Sequence, residues 1–159
     1  MTDDINTRKA LISAAKDFLT VVEAMNTRFG LKENLPIIPA EAVAWENRKF
    51  NPADKPLWCS VFYRPNQPIS RTIGNCGIDE INGFVQIDFN VPPDTGEEAT
   101  ILWEQKARLY FYHGRGLEHG GQIVLVTSSG MSQGRHVENN FRKSLTVAFR
   151  SQVRKNNQI

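Results

Sequence analysis

The sequence has little of what marks most catalytic, metal-binding and membrane proteins. It holds two cysteines, Cys59 and Cys76, and no CxxC pair. That is too few for a disulfide framework and leaves no anchor for a structural zinc. Of its three histidines, His113 and His119 are separated by five residues in a glycine-rich link. They lack the i, i+4 helical spacing that turns two imidazoles onto one metal. There is no GxSxG elbow around Ser128, Ser129 or Ser132, no phosphate-binding loop ending in Lys-Ser/Thr, and no GxGxxG after a strand. Enzymatic activity, a metal and a cofactor are therefore not expected. No apolar run approaches 18 residues, which excludes a membrane-spanning helix. The opening MTDDINTRKALISAAK places acids before its first apolar stretch, unlike a secretory signal, so an intracellular soluble domain is expected.

What is present suits one domain. There are 159 residues, 40% of them apolar and 23% charged, enough for one buried core. The net charge of +2 conceals a segregation. Residues 79–104 carry seven acids and no Lys or Arg, whereas residues 106–159 carry nine basic residues against Glu118 and Glu138. Clustered basic residues attract phosphate, so a small nucleic-acid-binding module using the basic C-terminal third is one reading. An acidic flank and a basic flank on one chain also allow head-to-tail docking of copies into a ring. Solvated faces that neutralise each other within the fold are the third.

Apolar periodicity predicts the elements. Leu11, Ala15, Phe18, Val22, Met25 and Phe29 recur at helical spacing, which predicts a helix over 4–29 ended by Gly30. Pro36 and Pro39 keep the next segment extended. A short edge strand is expected at 42–45, a central strand at 57–63, and a long loop at 64–79. A third strand over 80–91 has Ile81, Gly83, Val85, Ile87, Phe89 and Val91 on one face. A second helix runs to Tyr112, with Glu97 and Glu98 in the first turn where the helix dipole favours acids. A glycine-rich link at 113–121, strands at 122–127 and 141–149, a loop at 128–140 and a polar tail from 150 complete the chain. The expectation is one α+β domain over 1–159, a mostly antiparallel sheet with two packed helices in the order αβββαββ. Phe141-Arg142-Lys143 and Phe149-Arg150 interleave aromatic and basic residues, but the same residues spell an ordinary core strand.

One succession of residues is distinctive. Trp45 precedes Glu46-Asn47-Arg48-Lys49-Phe50-Asn51-Pro52, an E-N-x-x-F-x-P pattern, and a strand begins at Trp58. A loop with Gly74 and Gly77 follows, then Gly83 and the strand Phe84–Phe89, then Pro92 and Gly96 before the acidic helix. From residue 36 to 149 this order resembles the tail-completion, or tail-terminator, minor tail proteins of long-tailed bacteriophages, in particular a phage-related family long labelled as of unknown function. The resemblance implies a structural virion protein of the tail, assembled in the host cytoplasm, that forms a hexameric ring. Such a ring caps the tail tube, stops its polymerisation and presents the head-tail joining surface. The implied partners are further copies of the chain, the tail tube protein, the head-tail connector protein, and DNA passing through without sequence-specific recognition.

Charge and position suit particular residues to those roles. Glu97, Glu98 and Glu104 on the second helix are expected to meet Arg142 and Arg150 of a neighbouring subunit. Arg64 and Arg71, in the long loop, are expected to contact tube or connector, Arg being enriched at interfaces. Trp45, Asn47 and Phe50 are expected to serve structure, the aromatics by pinning the segment to the sheet and Asn47 by bonding its own backbone.

Overall fold

The computed structural model describes residues 2–20, 37–46, 48–53, 55, 57–74, 76–93 and 98–154. Its spine is one long antiparallel pair. Strand β4 (Ile78–Val91) runs beside β8 (Asn140–Arg154) in unbroken register, from Ile78 opposite Arg154 to Val91 opposite Phe141. On one side β4 carries β2 (Trp58–Pro65), which pairs in parallel with the edge strand β1 (Val43–Trp45). On the other side β8 carries β6 (Gln122–Met131), which is followed by the edge strand β5 (Gly116–His119). Two short strands hang off this path: β3 (Ile69–Ser70) on β4, and β7 (Arg135–Val137) on β8. Helix α1 (Thr2–Thr20) opens the chain and α2 (Glu98–Tyr110) stands between β4 and β5.

The expected αβββαββ fold is thus replaced by a curled, mixed eight-stranded sheet with 46% of the residues in strands and two helices. The parallel β1–β2 pair makes the sheet mixed, and the crossover through residues 46–57 has the length such a pair needs. Strands β3, β5 and β7 have two to four residues each, too short to show an alternating pattern. The 64–79 loop contains β3, and the 113–121 link contains β5. Strand β6 continues to Met131 past a register shift between Val126 and Ser128, which bends it as an extra residue in one strand does. Residues 150–154, expected as tail, extend β8, with Ser151 and Val153 buried. The expected helix beyond Thr20 and the second helix's cap at 94–97 lie outside the described residues.

The pleat explains the core. Ile81, Val85, Ile87, Phe89 and Val91 of β4 share a face with Leu145, Val147, Phe149 and Val153 of β8, and all are buried. Both helices lie on this face. Leu11, Ala15 and Phe18 of α1 turn inward as their spacing predicts. Phe18 is the hub, with its ring 5.4 Å from Trp103, 5.6 Å from Tyr110 and 5.0 Å from Phe111. Burying such a ring contributes about 1.5–3 kcal/mol. Trp103 in turn reaches Phe89, 5.1 Å away, and so ties α2 to the sheet. At the start of α1, Asp3 accepts three bonds from Arg154, from its backbone N and from Nε and Nη2, which hold the end of β8 in place.

Candidate assembly surfaces

Among the described residues, the opposite face of the sheet carries no helix. Register aligns it in rows across β2, β4 and β8: Trp58, Asn90 and Arg142; Ser60, Asp88 and Ser144; Phe62, Gln86 and Thr146; Arg64, Phe84 and Ala148. At one end these side chains satisfy each other. Asp88 Oδ1 accepts from Ser144 Oγ at 2.6 Å and from Gln86 Nε2 at 2.8 Å, while Arg142 Nη1 stands 3.9 Å from Oδ2. Arg142 Nε donates to Asn90 Oδ1 at 2.7 Å. Arg142, expected at a subunit interface, therefore has its charge answered inside its own subunit. Arg150 lies further along the same face, exposed, where its charge helps to lower the Glu80 carboxyl.

The two arginines expected in the long loop are also engaged, Arg64 from within β2 and Arg71 just past β3. Arg64 Nη1 lies 2.9 Å from Glu46 Oε1, and its guanidinium stacks 5.0 Å from the Phe62 ring centroid. Arg71 Nε bonds Glu80 Oε2 at 3.0 Å, which holds the Glu80 carboxyl below its ordinary range. Both guanidiniums remain half exposed, so each pair can still meet a partner. On α2 the exposed residues are Glu98, Ile101, Leu102, Gln105 and Arg108. Glu104 pairs with Arg108 one turn on, at 3.1 Å. Glu97 lies outside the described residues. The acidic helix and Arg150 thus stand on opposite faces of the sheet.

The basic residues of the C-terminal third do not gather into one stripe. Lys106 and Lys143 are buried on the covered face. Arg115 stacks on Tyr110 at 4.1 Å and bonds its carbonyl, and Arg154 is held by Asp3. A phosphate-binding track needs charges side by side, and these four are withdrawn from one, while Arg135 stands opposite Arg142 on the open face with Arg150 further along it. Nor do the remaining titratable groups converge. Among the described residues, no three His, Cys, Asp or Glu side chains come together as metal ligands. Cys59 is fully buried on β2, and burial pushes its thiol up, well away from thiolate reactivity. Lys106 lies with its ammonium 4.8 Å from the Trp103 ring and 5.4 Å from that of Phe18, and desolvation pushes its pKa down to about 8.

A family model described as phage tail terminator protein matches residues 20–149. The chain belongs to the phage tail terminator family. That family is structural and non-enzymatic, and it places the chain in the virion tail. Comparison with curated proteins finds no match. A solved structure that carries no functional description shares the fold at a TM-score of 0.62 and 18% identity, over 92% of this chain and 96% of that one.

The segment that carried the family resemblance serves structure in this terminator. Glu46 Oε1 accepts the backbone N–H of Tyr63 at 2.7 Å besides pairing with Arg64, and so clips the end of β1 to β2. Phe50 packs 5.3 Å from Trp58, and Trp45 packs against the core. Asn51 Oδ1 accepts from the Ala53 N–H at 3.0 Å, an Asx turn that closes the crossover. Asn47, expected in that role, lies outside the described residues. Sequence reasoning missed Ile73. Its side chain is 104% exposed, and its only signal was an isoleucine in a loop otherwise rich in Gly and Asn.

Proposed function

We infer that this terminator assembles as a hexameric ring on the end of the tail tube, stops further polymerisation, and offers its far side to the head-tail connector. The family match over most of the chain carries this reading. Two exposed surfaces on opposite sides of one sheet support it, because a ring needs different patches on each flank of the subunit. In this reading Glu97, Glu98 and Glu104 border the neighbour's basic face, where Arg150 is exposed and Arg142 contributes only its exposed edge. Arg64 and Arg71 meet tube or connector. DNA passes through the ring without sequence-specific contacts, assembly takes place in the host cytoplasm, and the protein performs no catalysis.

The test is tube growth. Tail tube protein polymerising alone lengthens without limit, and adding this protein should arrest elongation and yield short tubes that do not resume when more tube protein is supplied. Unchanged tube lengths at saturating protein would remove the reading. The charge pairing has its own check. Exposed pairs are worth about 0.2–1 kcal/mol each, so Glu98→Lys or Arg150→Glu alone should weaken the ring several-fold and the double reversal should recover it.

A further inference from the structure

Strand β3 and the start of β4 form a short arm whose tip, described at residues 71–74 and 76–77, extends past the Ser70–Asp79 pair. The tip is built rather than loose. The Arg71 N–H donates to the Ile78 carbonyl at 3.0 Å, the Ile78 N–H donates to Thr72 Oγ1 at 2.7 Å, and Ser70 Oγ donates to the Thr72 carbonyl at 2.9 Å. This turn holds Ile73 fully into solvent, with Ile69 at 44% and Ile78 at 38% exposed behind it. No residue from 72 to 78 is charged. Three exposed isoleucines, Ile69, Ile73 and Ile78, thus gather on one surface arm, the kind of apolar exposure that interaction sites carry.

The molecule also has a matching hollow. Between α1 and β2 lies a groove of about 370 Å³, walled by Ile5, Tyr63, Pro65, Pro68 and Ile81. Its rim carries Asp4 and Arg8, and the walls' apolar burial, with Asp4 nearby, pushes the Tyr63 hydroxyl up to about 12. The arm cannot fill its own groove. Pro68 is part of the wall, whereas Ile73 stands five residues further out, beyond the last strand pairing.

We propose that Ile73 of one subunit seats in the α1–β2 groove of a second copy of this chain. Knob and hollow are different surfaces of the same chain, so the contact is head to tail and closes into a ring or continues as a filament. The uncharged tip enters without stranding an ion in an apolar site. Outside the apolar contact the arm brings Arg71 and Glu80 and the rim brings Asp4 and Arg8, so each partner offers one charge of each sign to the other. The seat is far smaller than the roughly 1,200 Å² of a stable standalone interface, so it acts as one element of the subunit boundary in the ring and rests on that reading. The preformed turn lowers the ordering cost of docking.

The experiment compares ring dissociation, by mass photometry over a concentration series, for wild type, Ile73→Ser, Ile73→Leu and Ile5→Glu. Ile73→Ser and Ile5→Glu should each raise the dissociation midpoint about tenfold or more, and Ile73→Leu should stay within about threefold. Both positions are exposed, so the variants keep the monomer fold, verified by unchanged circular dichroism. In a Cys76→Ser background, oxidising a mixture of Ile73→Cys and Pro68→Cys proteins should give a crosslinked dimer that neither gives alone. A wild-type ring that Ile73→Ser leaves equally tight, or tip-to-tip crosslinking of Ile73→Cys by itself, overturns the seat alone. A wild type that stays monomeric even on tube ends overturns the ring and the seat together.

Discussion

Gly83 is the position where one added carbon should do most damage. It lies in β4, between Pro65 of β2 and Phe149 of β8, with φ of +153°. A Cβ there would stand 2.3 Å from the Arg64 carbonyl oxygen and 2.8 Å from the Pro65 Cα. Both are backbone atoms, so no side-chain rotation relieves the contact. The end of β2 would have to move by the better part of an ångström, which breaks the 2.8 Å bond from the Asn66 N–H to the Asn82 carbonyl and the 2.9 Å bond between their side chains. The same site lets Tyr63 and Phe149, from the strands flanking β4, bring their rings to 5.7 Å and stack across it. Two hydrogen bonds at about 1 kcal/mol each, overpacking of about 1–3 kcal/mol and backbone strain of about 1 kcal/mol sum to roughly 4–6 kcal/mol for Gly83→Ala. Gly114→Ala is the control. Gly114 has φ of +87° and open space where its Cβ would be, so only the strain of about 1 kcal/mol should appear. Urea unfolding of both variants measures the difference. Equal midpoints for the two would refute the reasoning, since they share positive φ and differ only in the contact.

Three further outcomes follow from buried or bridging charges. The Lys106 ammonium is disfavoured by the fold, so the penalty applies in full below pH 8 and is relieved as pH rises through 8 toward 10.5. Wild-type stability should gain on Lys106→Met by about 1 kcal/mol or more between pH 7.5 and 9, the ring faces of Trp103 and Phe18 offsetting part of the desolvation; parallel stability–pH curves would refute this. Arg154 holds the Asp3 carboxyl down to about 2, so its contribution is complete above about pH 4 and is lost as pH falls toward 2. Solvent screening limits it to about 1 kcal/mol, and Asp3→Asn should flatten that acid limb in thermal melts. Glu46→Gln keeps an acceptor for the Tyr63 N–H and should cost under about 1 kcal/mol, whereas Glu46→Ala removes the clip and should cost about 1–2 kcal/mol in chemical denaturation.

The elements legible in the sequence are those long enough to repeat their period. Ile81 to Val91 alternates over a strand that is buried on one face, and Leu11, Ala15 and Phe18 keep helical spacing against a core, so both were readable. Strands β3, β5 and β7 were not, because their pairing comes from neighbours distant in sequence and not from their own pattern. The extension of β6 through Ser128, Ser129 and Gly130 shows no apolar alternation, since a register shift precedes it and its outward positions are small. The parallel β1–β2 pairing depends on the Glu46 clip, which no periodicity reports. Charge misled in the same way. Arg142 was expected at a subunit interface and Lys106 was counted in the basic C-terminal third, yet Asp88 and Asn90 absorb the first, and the Phe18–Trp103 cluster buries the second. The family resemblance survived because its residues fasten a crossover whose spacing is local.

The central claim is a ring at the tube's end, and counting bound copies tests it most directly. Fluorescently labelled protein is added in excess to tail tubes of several defined lengths, and single tubes are imaged to count labels and their positions. The account predicts six copies per tube, all at one end, whatever the tube's length. Copies spread along the wall in proportion to length, or no stable binding at either end, would contradict it.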